Sequence, residues 1–487
     1  MARLLCIFRQ DKRGSLCFFK FFAGVIKMAT KVFPLESRKV EKVETKYRRI
    51  VTDIPAPESL PILKTLQACE PVSMLGQPPI VWDHAEYFTV ADRWGNKWID
   101  FSSGVVIANA GHGRTKVTDA IIREAQKPLL TTYCFPNEAR ANFVKKMVEV
   151  APKGLDKVFL LSTGSEAVEC AIKLSRTYGA KVGGSKKNII VSFDKAFHGR
   201  TLGSQQAGGT PELKSWIQNL DPGFVQVPFP DGYRNKDTSF CVFEKALADH
   251  KIDPNLVAGV IVETFQGAGA DFGPPEYFQA LRKWCDKYKV VMVFDEVQAG
   301  FGRSGKFWGF EHYGVVPDLF TCGKGISSSL PISALVGKAE LMNMYGPGSM
   351  TSTHSGNPVC CAAALASLET ILEEKLVENS AKLGVVMHKA LGDLAKKYPD
   401  RIGCVHGRGL VAGVQIVKPG SETPDPDLAW QIVFDCMEKG LLLFAPVGFG
   451  GGTLKVCPPL CINEEALLEG IGVLDKAINQ AIMEVYK

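Results

Sequence analysis

The stretch VVMVFDEVQAG, residues 290–300, decides how the rest of the chain is read. Five apolar residues, three of them β-branched, run without alternation into an Asp-Glu pair. An uninterrupted run of this kind suits a strand buried on both faces, as in a parallel sheet covered by helices. Working outward, the same texture recurs at KVFLL (157–161), NIIVSF (188–193), VAGVIVE (257–263) and ISALVG (332–337). Amphipathic stretches such as EAVECAIKLSRTYG (166–179) and PEYFQALRKWCDKY (275–288) lie between them. The alternation predicts an α/β region over 102–370 with a mostly parallel sheet and helices on both faces.

The flanks read differently. AEYFTVADRWGNKWIDF (85–101) alternates around a Gly-Asn turn, a hairpin signal, within a segment 28–101 that reads as an arm plus part of a small domain. Two long helical stretches are expected near 357–374 and 376–398. From 371 to the C-terminus, RGLVAGVQIV, GLLLFAP, TLKVCPPL and two helices make a smaller α+β unit.

Charge and cysteine usage narrow the function classes. Residues 1–27 carry six Lys/Arg against one acid, a +5 that leaves +1 for the rest of a +6 chain. The body therefore has no basic excess for nucleic acid. No apolar run reaches membrane-spanning length. The basic leader is read as an extension ahead of Met28 or as a transit peptide, which gives a cytoplasmic protein in the first case and a mitochondrial matrix one in the second. A secretory signal is disfavoured because Lys20 interrupts the apolar stretch. The 14 cysteines are scattered, without a CxxC pair, and suit a reducing compartment. Cys457 and Cys461 lack two further nearby ligands, so no metal is expected.

Four local features sit at the ends of the expected strands, where open α/β sheets bind ligands. In DLFTCGKGIS (318–327), Lys324 stands between Gly323 and Gly325, which would leave room for an adduct on its amine; alone, it equally suits a surface lysine. Asp295 ends a buried strand and needs a partner. A protonated ring nitrogen would serve, and so would loop amides or magnesium. In STGSEAVECAIKL (162–174), Gly164 and Ser165 open a helix and offer amides to an anion; the alternative is a plain N-cap by Ser165. In KAFHGRTLG (195–203), Phe197 could cover an aromatic ring and Arg200 grip a carboxylate, against readings of Phe197 and His198 as core and Arg200 as a surface ion pair. Together they offer an amine, a ring-nitrogen partner, a ring stack and a phosphate cradle, the parts of a pyridoxal 5'-phosphate (PLP) site. GFGRSG (300–305) matches a dinucleotide fingerprint, but DEVQA separates it from the strand and no clean helix follows.

From about residue 75 onward the chain resembles the class III aminotransferases, the family of 4-aminobutyrate, ornithine and acetylornithine aminotransferases. STGSEA, FHGRT, VE-x-x-QG, FDEVQ-x-GFGR-G, CGKG, T-x-SGNP and PPL occur in the family's order. The resemblance implies the type I PLP fold, with a seven-stranded-type central sheet, and a homodimer with sites at the interface. It implies that Lys324 carries PLP as a Schiff base and shuttles a proton, and that Asp295 partners the pyridine nitrogen. Val297 would pack on the ring face opposite Phe197, His198 would also belong to the cofactor-binding set, and Gln298 would bond the phenolic oxygen. Gly164 and Ser165 would hold the phosphate, reached by Thr353 of the other subunit. Arg200 would bind a distal carboxylate, and Glu263 would be the switch glutamate. The arginine that the family pairs with that glutamate is Lys455 here, which loses the two-toothed grip on a carboxylate. ETFQGAGA (263–270) also departs from the family's EPxQGEGG. The implied activity is a transaminase moving the amine of a 4-aminobutyrate-like ω-amino acid to a 2-oxo acid such as 2-oxoglutarate or pyruvate. A phospho-lyase or racemase of the same family is the alternative, and a non-enzymatic binding protein is disfavoured because Lys324 and Asp295 are both present.

Overall fold

Strands and helices alternate through the middle of the chain in the computed structural model, which describes residues 31–486. The readings of the 1–27 leader lie outside the described residues. Seven strands make the central sheet: β1 (Lys157–Leu161), β2 (Ile189–Phe193), β3 (Phe224–Val227), β4 (Val257–Glu263), β5 (Val291–Asp295), β6 (Leu319–Cys322) and β7 (Ser333–Gly337). Their order is β1-β7-β6-β5-β4-β2-β3. All neighbours are parallel except β7, which runs antiparallel to both β6 and β1. Every residue of β4, β5, β6 and β7 is buried, so their unbroken apolar runs reflect cover on both faces.

Two strands were not singled out as strands by the sequence. β3 (FVQV) is four residues long and interrupted by Gln226, too short for a clear period. β6 (LFTC) is also four residues long and reads from the sequence only as the strand-like run whose end carries Lys324.

The 20-residue helix α1 (Gly164–Gly183) follows β1 at once. Its N-cap is Thr163 rather than Ser165: Thr163 Oγ1 accepts from Glu166 N (3.3 Å), and Glu166 Oε2 accepts from Thr163 N (2.9 Å). This reciprocal pair satisfies two donors that a helix start otherwise leaves open. Helices α2 (Pro275–Tyr288), α3 (Pro358–Glu373) and α4 (Leu376–Lys397) match the expected stretches. Farther on come α5 (Pro426–Glu438), α6 (Glu464–Val485) and a three-stranded antiparallel sheet of Ile402–Arg408, Val411–Ile416 and Thr453–Val456. The expected hairpin forms as Thr89–Ala91 against Lys97–Asp100. Leu441–Leu442 then adds to it in parallel, joining the two flanks of the chain in one sheet. Among the described residues, no helix is long and apolar enough to cross a membrane.

GFGRSG proves to be a structural loop. Arg303 is fully buried and donates to the carbonyls of Leu410 (3.0 Å) and Pro458 (2.6 Å) and to Asn109 Oδ1 (2.7 Å). The loop thereby ties the central sheet's surroundings to the C-terminal segment.

Candidate active site

Register brings the chemistry together. Asp295, the last residue of β5, pairs with Glu263 at the end of β4 and with Thr321 in β6. Three neighbouring parallel strands thus deliver polar side chains to one row at the sheet's C-terminal edge. Lys324 follows β6 after Gly323, at the start of a short 3-10 turn and with φ of 43°. A non-glycine residue in that region is held there by its surroundings.

A cavity of about 350 Å3 opens at this edge. Gly164, Ser165, Phe197, His198, Glu263, Asp295, Val297, Gln298 and Lys324 all line it, drawn from β4, β5, the loops after β2 and β6, and the start of α1. The capping box engages the amides of Ser162, Thr163 and Glu166, while those of Gly164 and Ser165 take no side-chain acceptor among the described residues. Amides at a helix start with no internal partner form an anion cradle.

The Asp295 carboxylate is fixed from three sides. His198 Nδ1 donates to Oδ2 (2.8 Å), while Thr321 Oγ1 and Val297 N each donate to Oδ1 (3.1 Å). Burial works against a charge on His198, but the bond to Asp295 and that residue's charge outweigh it and raise the imidazole pKa. His198 is therefore neither plain core nor merely beside the cavity. It is the buried partner of Asp295, and its Nε2 is buried with no hydrogen-bond partner among the described residues. Thr321 was missed from the sequence, although its register beside Asp295 is the signal that finds it.

Burial lowers the Lys324 pKa, against the pull of the Asp295 and Glu263 carboxylates. Its amine is thus more readily neutral than an ordinary lysine's. Burial pushes Glu263 up to about 7 while His198 opposes. Its oxygens accept from Phe197 N (3.0 Å) and Gly267 N (2.7 Å).

The two glycines beside Lys324 differ in purpose. A Cβ on Gly325 would lie 2.5 Å from Asn109 Nδ2, so Gly325 permits packing and not room for an adduct. A Cβ on Gly323 would stand 3.5 Å from Val297 Cγ1 and 3.8 Å from Gly164 Cα, within the cavity wall. Glu296 turns away, accepting from Thr264 Oγ1 and from the amides of Gly309 (2.7 Å) and Phe310 (3.1 Å), so Asp295 and Glu296 do not share a site.

Three of the expected site residues do not line the cavity. Arg200 is exposed, its guanidinium 5.5 Å from the centre of the Phe197 ring. Thr353 is exposed on the same chain. Lys455 is 2% exposed and lies behind Gln298, donating to Gln298 Oε1 (2.7 Å) and to the Gly267 carbonyl. It makes no ion pair with Glu263 among the described residues, so the glutamate–cation pair implied by the resemblance is not formed here.

A sequence profile for Aminotransferase class-III matches residues 73–478. The chain belongs to the class-III aminotransferases. It is 34% identical to a 4-aminobutyrate aminotransferase of Mycobacterium leprae, over 88% of this chain and 98% of that one. It is also 34% identical to an acetylornithine aminotransferase of a Synechocystis species, over 83% and 90% of the two chains. Among solved structures, an ornithine aminotransferase of Toxoplasma gondii, described with partial occupancy of PLP at its active site, superposes with a TM-score of 0.77 at 27% identity, covering 89% of this chain and 97% of that one. These neighbours share the type I PLP fold expected from the sequence.

Proposed function

We propose that this aminotransferase uses PLP and moves the terminal amine of a 4-aminobutyrate-like ω-amino acid to a 2-oxo acid in two half-reactions. The observation that carries the proposal is the convergence of Lys324, Asp295 and the Gly164–Ser165 amides on one cavity. The lining fits PLP. The free amides at the start of α1 suit its phosphate, the apolar walls of Phe197 and Val297 suit its ring, and the anchored Asp295 carboxylate suits its ring nitrogen. The buried Nε2 of His198, without a partner among the described residues, suits a site that takes a polar ligand.

When bound, PLP supplies the electron sink for ionising a bond at the amine-bearing carbon. Lys324 Nζ, its pKa lowered by burial, would take the proton from that carbon and pass it to the cofactor, leaving the amine there, and would run the same transfer in reverse in the second half-reaction. His198 and Thr321 hold Asp295 in place as a fixed anion, so little reorganisation is needed as charge develops. Arg200, exposed outside the cavity lining with its guanidinium 5.5 Å from the centre of the Phe197 ring, would take the distal carboxylate of donor or acceptor. Thr353 would serve the phosphate of the other subunit in a homodimer. The relative named for 4-aminobutyrate takes its name from a compound with a terminal amine, which supports an ω-amine donor.

One observation favours a second reading. Because Lys455 is engaged by Gln298 and Gly267, no arginine-like grip on an α-carboxylate is formed by that residue. A lyase acting on a phosphorylated amino alcohol needs no such grip. An absorbance spectrum before and after adding 4-aminobutyrate separates the readings. A yellow band that bleaches, then returns with 2-oxoglutarate or pyruvate, supports the transaminase. A yellow protein that ignores amino acids but releases phosphate from a phosphorylated amino alcohol supports the lyase. A colourless protein that takes up no PLP refutes both.

A further inference from the structure

Lys455 occupies the middle of the strand Thr453–Val456, opposite Gly413. Its ammonium is directed at two acceptors of the protein itself, the Gly267 carbonyl and Gln298 Oε1. An ammonium has donors only, so the amide of Gln298 must present its oxygen to Lys455. The reverse orientation would set NH2 against the ammonium and lose the bond. Gln298 lines the cavity and Lys455 does not. With its oxygen turned to Lys455, Gln298 keeps its two N–H donors for a cavity occupant. A Cβ at Gly267 would fall 2.2 Å from Gln298 Nε2, so the glycine leaves the amide room in its present place.

From this geometry, and resting on the PLP reading above, we propose that Lys455 is a positioning residue. It fixes the amide of Gln298 as a hydrogen-bond donor toward the cofactor's phenolic oxygen, and it does not grip a substrate carboxylate. The departure from the family's arginine then alters cofactor tuning. The carboxylate of a 2-oxo acid must then be bound by other groups, with the exposed Arg200 beside Phe197 as one candidate.

The test is a double-mutant cycle on the holoenzyme with Lys455→Met, Gln298→Ala and the double variant. Two properties are read: the dissociation constant of PLP from titration of the apo-protein, and the visible absorption maximum of the bound cofactor. Each single variant is expected to weaken PLP by about tenfold, the loss of one charge-assisted hydrogen bond, and to shift the band. The double variant is expected to match Gln298→Ala alone, because Lys455 has nothing left to orient. The KM for 2-oxoglutarate should change little in Lys455→Met. If Lys455→Met does not fold, Lys455→Gln keeps a polar head without enforcing the amide orientation and runs the same cycle. Equal losses from Lys455→Met in both backgrounds would make the residue merely structural and overturn the proposal. So would an unchanged band and PLP affinity accompanied by a raised KM for 2-oxoglutarate, which would make Lys455 a substrate group. A parent protein that takes up no PLP removes the functional reading and this assignment together, whereas additive losses in a PLP-binding parent remove only this one.

Discussion

Gly164→Ala tests whether the cavity wall is as tightly fitted as its geometry indicates. A Cβ at Gly164 would lie 2.9 and 3.0 Å from the two γ-carbons of Val297. Favourable carbon–carbon contact begins at about 3.5 Å, so the shortfall is roughly half an ångström. Gly164 opens α1 behind its capping box, and Val297 follows the Asp295 strand, so both backbones are anchored. The Val297 side chain must yield, and it lines the cavity. Overpacking of this kind costs about 1–3 kcal/mol. If about 2 kcal/mol falls on the bound state, PLP affinity drops roughly 30-fold, at 1.4 kcal/mol per decade. Titration of the apo-protein with PLP, followed at the visible band, measures it. Gly164→Ala combined with Val297→Ala removes both γ-carbons and should recover most of the loss. Parent-like affinity in Gly164→Ala, or a double variant no better than the single, would refute the assignment of Gly164 and Val297 to one packed wall against the cofactor.

Three further outcomes are expected. Lys324→Ala should fold and still bind PLP reversibly but lose turnover by at least about a thousandfold in a coupled transamination assay, since it lacks both the nucleophile and the proton carrier; normal turnover would remove Lys324 from the mechanism. Arg200→Ala should raise KM for a carboxylated donor about 10–100-fold while leaving a plain amine nearly unaffected, and equal effects on both would take Arg200 out of substrate recognition. Asp435, on α5 and 1% exposed, is raised to about 7 by burial, with Glu484 and Glu438 adding to the shift and Gln431 opposing it. Because its folded pKa lies above its unfolded one, its stabilisation is complete below about pH 4 and is lost as pH rises through about 7, on the order of 3–4 kcal/mol by pH 9. Asp435→Asn should therefore have a Tm above that of the parent at pH 9 and a flatter dependence between pH 4 and 7, and parallel curves in thermal melts over that range would refute the buried-acid account.

Much of the site was legible because its signals are local. The run VVMVFD ends in a carboxylate, KVFLL passes straight into a helix start, and CGKG places an amine just past a strand. Each is set by the period of the apolar residues and by turn chemistry within about ten positions, so no fold need be known to see it. FVQV carried too few residues to show a period. GFGRSG looked like a nucleotide loop because the fingerprint records glycine spacing and not where the arginine between them is buried.

The sequence by itself determined the α/β plan, the strand ends that carry Lys324 and Asp295, and the helix start beside Gly164 and Ser165. Only the tertiary structure decided how these residues are tuned. His198 meets Asp295 across 97 positions of chain, and Lys455 meets Gln298 across 157. Neither pairing is encoded in local spacing. Strand order and register set the row of Glu263, Asp295 and Thr321. The packing of the C-terminal sheet against the Gly267 loop then diverts Lys455 from Glu263 to Gln298. An ammonium bonds whichever acceptors lie within about 3 Å of it, and that distance exists only once the chain has folded.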